Sequence, residues 1–233
     1  MTMSSEQTTE ARSALVVVEG PDGCGKTTIS SLLSDELQAR TQGSPPWSRV
    51  TDPSEGPVGH LIRRWLGSGA PHELEALGYL FFADRIHQLH RWSQPFVVAD
   101  RYLLSTWVYQ SGTMPDDVLL ATLGDERLRV PDVVVYLDVD RDVCLERLAA
   151  RQKLDYFDAR EQFVQHYERY RLAWFGRLGG SNIIDLYAMA SHRVRNAVFG
   201  LQRLTVSGGR RAAPAEVVED ILGQLSALDL PWL

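Results

Sequence analysis

Short apolar runs alternate along this chain with longer stretches of helical periodicity. Ala14 to Val18 is a β-branched run that closes on Glu19-Gly20, the pattern of a strand buried on both faces rather than half exposed. Phe96 to Ala99 and Val133 to Leu137 repeat it, and Arg49-Val50-Thr51 is a weaker instance. Between them, helical spacing covers Lys26 to Arg40, Val58 to Leu66, His72 to Trp92, Tyr102 to Ser111, Asp140 to Arg151 and Ala159 to Leu178. Strands alternating with helices predict an α/β fold in three layers, a parallel sheet of about five strands with helices on both faces. Ligands are then expected beyond the carboxyl ends of the strands.

The last core strand has two candidates, Asn182 to Asp185 and Leu204-Thr205-Val206. The second is preferred, because Pro214 to Leu225 then follows as a closing helix with proline near its start. The segment from Gly179 to Arg211 is the irregular part of the pattern. No internal repeat or long linker interrupts the rest, so residues 13–233 are read as one domain behind a tail of residues 1–12. That tail is rich in Ser, Thr and Glu, without the basic and apolar regions of a secretory signal.

Composition narrows the classes. Of 233 residues, 44% are hydrophobic and 23% charged, which excludes a disordered or collagen-like chain. Lys and Arg number 24 against 30 Asp and Glu, a net charge of −6, so a broad basic footprint for a nucleic acid polymer is not expected. No apolar run approaches the ~18 residues of a membrane span. The two cysteines, Cys24 and Cys144, form neither a disulfide framework nor a zinc-ligand cluster, in keeping with a reducing cytoplasm.

Phosphate chemistry, if present, is therefore local, and one segment supplies it. Gly20-Pro21-Asp22-Gly23-Cys24-Gly25-Lys26-Thr27 fits G-x-x-x-x-G-K-[ST] between an expected strand and an expected helix. Glycines there let backbone N–H groups converge on phosphate oxygens, and the helix turns its positive end towards them. Lys26 is expected to reach the β- and γ-phosphates of ATP and Thr27 to help hold Mg²⁺, with Thr28 beside it. Cys24 reads equally well as a reactive thiol and as a small packed residue. No Asn-Lys-x-Asp motif of a guanine switch is present.

A second cluster falls at the same sheet edge. Asp100-Arg101-Tyr102 follows the strand Phe96 to Ala99. Continued as a helix, it sets Arg101, Ser105 and Tyr109 four apart on one face, with Thr106 and Gln110 beside them. Phe81 and Arg85 share another helical face, a flat ring beside a cation. Taken alone, Phe81 next to Phe82, Ile86 and Leu89 reads as core, and Asp100-Arg101 as a structural ion pair.

In their order, these motifs resemble the thymidylate kinase family of P-loop nucleoside monophosphate kinases. The likeness runs from about Leu15 to Arg171 and includes Pro131-Asp132 before Val133 to Asp138. It implies a P-loop kinase fold and transfer of the ATP γ-phosphoryl group to dTMP. It also implies that Phe81 stacks on thymine and Arg85 contacts the acceptor. Arg101 would bridge acceptor and donor phosphates, and Asp100 would organise the water shell of Mg²⁺. Asp22 would bond the deoxyribose 3′-hydroxyl. Ser105, Thr106 and Gln110 would lie near the base edge, with Tyr109 under the sugar.

The resemblance places a lid at about residues 151–160. There Arg151, Lys153 and Arg160 would close on the ATP phosphates and exclude water, and Arg151 would also lie against adenine. It further implies a homodimer. Two departures stand out. Where many members carry Arg-Glu-Pro-Gly-Gly-Thr, this chain has Thr51-Asp52-Pro53-Ser54-Glu55-Gly56, without that arginine; Arg63 and Arg64 are the nearby substitutes. Where some members place an arginine after the acidic residue of the phosphate loop, this chain has Gly23. The alternatives are a kinase for another nucleoside monophosphate, a modified pyrimidine nucleotide or a deoxynucleoside, and a non-catalytic nucleotide switch.

Overall fold

The structure is a computed structural model, and it describes residues 13–43, 46–68, 73–151, 155–176, 202–207, 212–228 and 230. Five strands, β1 (Ala14–Glu19), β2 (Trp47–Thr51), β3 (Phe96–Asp100), β4 (Val133–Asp138) and β5 (Gln202–Ser207), form one sheet in the order β2-β3-β1-β4-β5. Every pairing is parallel. The last strand falls on the preferred candidate; the rival, Asn182 to Asp185, lies outside the described residues.

β1 is buried along its whole length, because alternate side chains enter two separate cores. Leu15 and Val17 join Val97, Ala99 and Tyr102 on one face, while Ala14, Val16 and Val18 join Leu33, Leu37 and Ile221 on the other. An apolar run without alternation is what a strand covered on both faces requires.

The helices are α1 (Lys26–Arg40), α2 (Pro57–Gly67), α3 (Leu74–His87), α4 (Leu89–Trp92), α5 (Leu103–Gln110), α6 (Asp116–Leu123), α7 (Arg141–Ala149), α8 (Arg160–Phe175) and α9 (Pro214–Ser226). Three differ from the sequence pattern. The stretch expected as His72 to Trp92 divides at Gln88, and the turn lets Trp92 stack on Tyr102 at 4.5 Å. α6 was not expected, although Pro115 precedes it and Asp116 and Asp117 open it, a legible start signal. Arg101 is not part of the helix that follows: it has φ 71°, and α5 begins at Leu103.

The apolar stripe on α8 is core, as its spacing suggests. Phe163, Tyr167, Tyr170 and Trp174 are all buried. β1 and β3 are neighbours in register, Val18 opposite Asp100, so the segments that leave their carboxyl ends emerge side by side.

Candidate active site

The phosphate loop leaves β1 and turns into α1 through glycines at φ 148° (Gly20), 79° (Gly23) and 104° (Gly25). Gly25 occupies the N-cap position of α1, and no side chain caps that end. The first N–H groups of α1 are thus free of side-chain caps, as an anion site requires. Lys26 Nζ donates to the carbonyls of Gly20 and Pro21, each at 2.7 Å. Thr27 Oγ1 donates to Asp100 Oδ2 at 2.7 Å. Asp100 Oδ1 is buried without a partner among the described residues, and this pair fits the outer shell of a nucleotide-bound Mg²⁺. No cluster of three metal-ligating side chains occurs among the described residues, so nucleotide and water would complete the coordination.

Arg101 stands between the phosphate loop and a pocket. Its guanidinium forms an ion pair with Asp22 and reaches the hydroxyls of Tyr109 at 3.4 Å and Tyr170 at 3.3 Å. Tyr109 donates its hydroxyl to Asp22 Oδ2 at 2.6 Å. Burial alone would raise the Asp22 carboxyl, but Arg101 and Lys26 outweigh it and hold the group well below the usual carboxylate range. Beneath this knot Glu19, fully buried, accepts from the backbone of Tyr102 at 2.8 Å and from Ser105 Oγ at 2.7 Å. Burial raises its carboxyl, opposed by the Ser105 bond and Arg101. Glu19 was missed as a site residue; its signal is a lone acid at the end of an otherwise apolar strand.

The pocket beside Arg101 is lined by Phe81, Arg85, Ser105, Thr106, Tyr109 and Gln110, with Asp22 and Asp52 at its sides. All six expected acceptor residues on α3 and α5 thus meet in one place. Phe81 packs against the core yet stays half-buried, which leaves part of its ring facing the pocket it lines. Arg85 is 2% exposed. Its Nε donates to Asp52 Oδ2 at 2.7 Å, and its Nη2 contacts the same oxygen and Thr106 Oγ1. The cavity measures about 80 Å³, small beside the ~300 Å³ at the lower end of ligand sites.

Neither proposed substitute for the missing arginine lines this pocket. Arg63 Nη2 donates to the Pro53 carbonyl at 2.6 Å and to Glu55 at 2.8 Å, tying down the loop, and Arg64 is exposed.

A second cavity of about 280 Å³ lies on the other side of the phosphate loop, among Cys24, Thr28, Leu137, Arg147 and Val217. Arg147 Nη1 donates to the Cys24 carbonyl at 3.2 Å. Arg151, the residue expected to lie against the donor base, does not line that cavity; its Nη1 sits 3.3 Å from Asp158. Arg160 is exposed at the start of α8. Lys153 lies outside the described residues. The lid-side turn at 155–158 is held by Asp155 Oδ1, which accepts from the backbone of Phe157 at 2.9 Å and Asp158 at 3.1 Å. Burial, then Asp158, raises the Asp155 carboxyl to about 6. Cys24 is a buried thiol whose pKa burial raises, which favours its packing role.

A parallel sheet with a glycine-rich loop opening onto a helix, and a polar pocket across one arginine from it, defines the P-loop kinase class. A family model described as thymidylate kinase matches residues 18–189. A probable thymidylate kinase of Methanococcus aeolicus is 35% identical over 150 residues, covering 63% of this chain and 71% of the relative. A thymidylate kinase of Leptospira borgpetersenii is 33% identical over 148 residues, covering 59% and 69%. The crystal structure of thymidylate kinase from Ehrlichia chaffeensis superposes with a TM-score of 0.60 at 19% identity, covering 93% of this chain and all of that one. The chain belongs to the thymidylate kinase family.

Proposed function

We propose that this chain transfers the γ-phosphoryl group of ATP to dTMP, releasing dTDP and ADP. The observation that carries the reading is Arg101. A guanidinium bonded at once to Asp22 of the phosphate loop and to Tyr109 of the pocket stands where two phosphate groups would meet. An oxygen of the dTMP phosphate attacks the γ-phosphorus, and the bond to the β–γ bridging oxygen breaks. The attacking phosphate is already ionised, so no general base is required. Positioning and charge neutralisation supply the catalysis.

Lys26 and the amino end of α1 would take the β- and γ-phosphates, and Thr27 with Asp100 would hold Mg²⁺, which supplies charge neutralisation across them. Adenine would take the cavity bordered by Arg147, while Arg151, Lys153 and Arg160 would close over the transferred group. Phe81 and Tyr109 would bracket base and sugar. The same reading makes residues 13–233 one kinase domain, acting in the cytoplasm as a homodimer. No helix among the described residues is long and apolar enough to cross a membrane.

A coupled ADP-release assay across dTMP, dUMP, dCMP, dGMP, UMP and thymidine, each with ATP and Mg²⁺, tests the assignment. Turnover is expected to be fastest with dTMP. Turnover with thymidine and with no monophosphate would overturn the acceptor, and ATP binding without transfer to any of them would favour a switch.

A further inference from the structure

We propose that Asp52 reads the base of the acceptor: its free oxygen takes a hydrogen bond from the ring N–H of a 2,4-dioxopyrimidine lying against Phe81. This rests on the kinase reading above and names what selects its acceptor.

Asp52 is 4% exposed and lines the acceptor pocket. Its two oxygens are unequal. Oδ2 is taken up by Nε and Nη2 of Arg85, whereas Oδ1 is buried without a partner among the described residues. A buried carboxylate oxygen left unpaired is costly, and buried polar atoms of this kind are rare in folded proteins. Burial raises the Asp52 carboxyl, opposed by Arg85; the two-point contact of that guanidinium with Oδ2 is made to the ionised form, and an ionised carboxylate only accepts. Whatever satisfies Oδ1 therefore brings an N–H or O–H.

Gln110 lines the same pocket and is 1% exposed, and its Nε2 is likewise buried without a partner among the described residues. Among the residues that line the pocket with Phe81 there are thus one unmet acceptor and one unmet donor. A 2,4-dioxopyrimidine carries a ring N–H flanked by two carbonyl oxygens and satisfies both groups. A 4-aminopyrimidine turns a ring-nitrogen lone pair to the position of that N–H, so it would face the carboxylate with no proton between. Arg85, with Nε and Nη2 committed to Asp52, positions the carboxylate.

The experiment compares dTMP with 5-methyl-dCMP, in which a 4-amino group leaves N3 a lone pair in place of the N–H while the methyl group and ring shape are kept. Binding is read by calorimetry and kcat/KM by ADP release, for the wild-type chain and for Asp52→Asn. Wild type is expected to prefer dTMP over 5-methyl-dCMP by about 10- to 100-fold, the range of one well-placed hydrogen bond to a charged group. In Asp52→Asn that preference shrinks to under about 5-fold, since a side-chain amide can accept from the ring N–H of one base or donate to the ring nitrogen of the other, while KM for ATP holds. A merely structural role would weaken both ligands in parallel and leave their ratio unchanged, which would overturn the proposal. Equal affinity of wild type for dTMP and 5-methyl-dCMP would overturn it without any variant, and so decides the matter if Asp52→Asn fails to fold. Should wild type phosphorylate no monophosphate, the kinase reading fails by itself. The base-reading role then stands or falls on calorimetric binding of thymidine against 5-methyldeoxycytidine.

Discussion

Arg101 is held by more than its ion pair. Its backbone occupies the left-handed region at φ 71°, a conformation that costs a non-glycine residue of order 1 kcal/mol and persists only where its surroundings enforce it. The enforcing contacts are its N–H to the Val18 carbonyl at 3.1 Å and the Asp22 carboxylate. On the proposed reading, in which the guanidinium is preset between the two phosphate sites, Arg101→Ala is expected to lower kcat by a factor on the order of 10³. The same change should raise KM for dTMP far less. Steady-state kinetics with circular dichroism as a folding control checks this, and near-normal turnover in a folded variant would remove Arg101 from the transition state.

At the scale of elements, the loop that carries Asp52 depends on its neighbours. Ser54 donates its backbone N–H to Asp84 Oδ2 and its hydroxyl to Asp84 Oδ1, both at 2.6 Å. α2 presses against the loop so closely that a Cβ on Gly59 would lie 1.9 Å from the Ser54 carbonyl oxygen. Gly59→Ala must therefore displace α2 or the loop, with an expected loss of about 1 to 3 kcal/mol and a weaker grip on dTMP. Urea unfolding and a binding titration would show it, and an unchanged midpoint would contradict the packing. Such dependence explains what the sequence disclosed and what it hid. The phosphate loop, β1, β3, β4 and the Asp100-Arg101 corner were legible because each is written in contiguous residues of one pattern. The pairing of Asp52 with Arg85 spans 33 positions and leaves no local mark. The break at Gln88 was equally hidden, since neither glycine nor proline announces it and the burial of Trp92 drives it. Arg147 carries no local mark either, since only the fold sets it against the Cys24 carbonyl.

For the molecule as a whole, a half-buried aspartate and a buried histidine on the lid side bend the dependence of stability on pH in opposite directions. Asp155 titrates near 6 in the folded chain against 3.8 for an ordinary aspartate. The native state holds that proton more tightly, so the stability it lends is complete below pH ~4 and gone above ~6. His166 is pushed down to about 4, first by burial and then by Arg169. It favours the neutral fold increasingly as pH climbs from ~4 to ~6.5. Asp155→Asn keeps the oxygen that caps the turn, so melting temperature should then rise more steeply across that window than in wild type. His166→Gln should flatten the rise or reverse it. Parallel melting profiles for the three proteins would refute both assignments. A final consequence concerns descent. The phosphate loop rests on α7 so closely that any side chain at Gly23 would meet the Cys144 carbonyl oxygen at 2.5 Å, from a backbone at φ 79°. An arginine installed there by a single codon change would have no room to stand. Lineages built on this scaffold are therefore committed to drawing their extra positive charge from elsewhere, and a swap between the two arrangements would require the seventh helix to shift first.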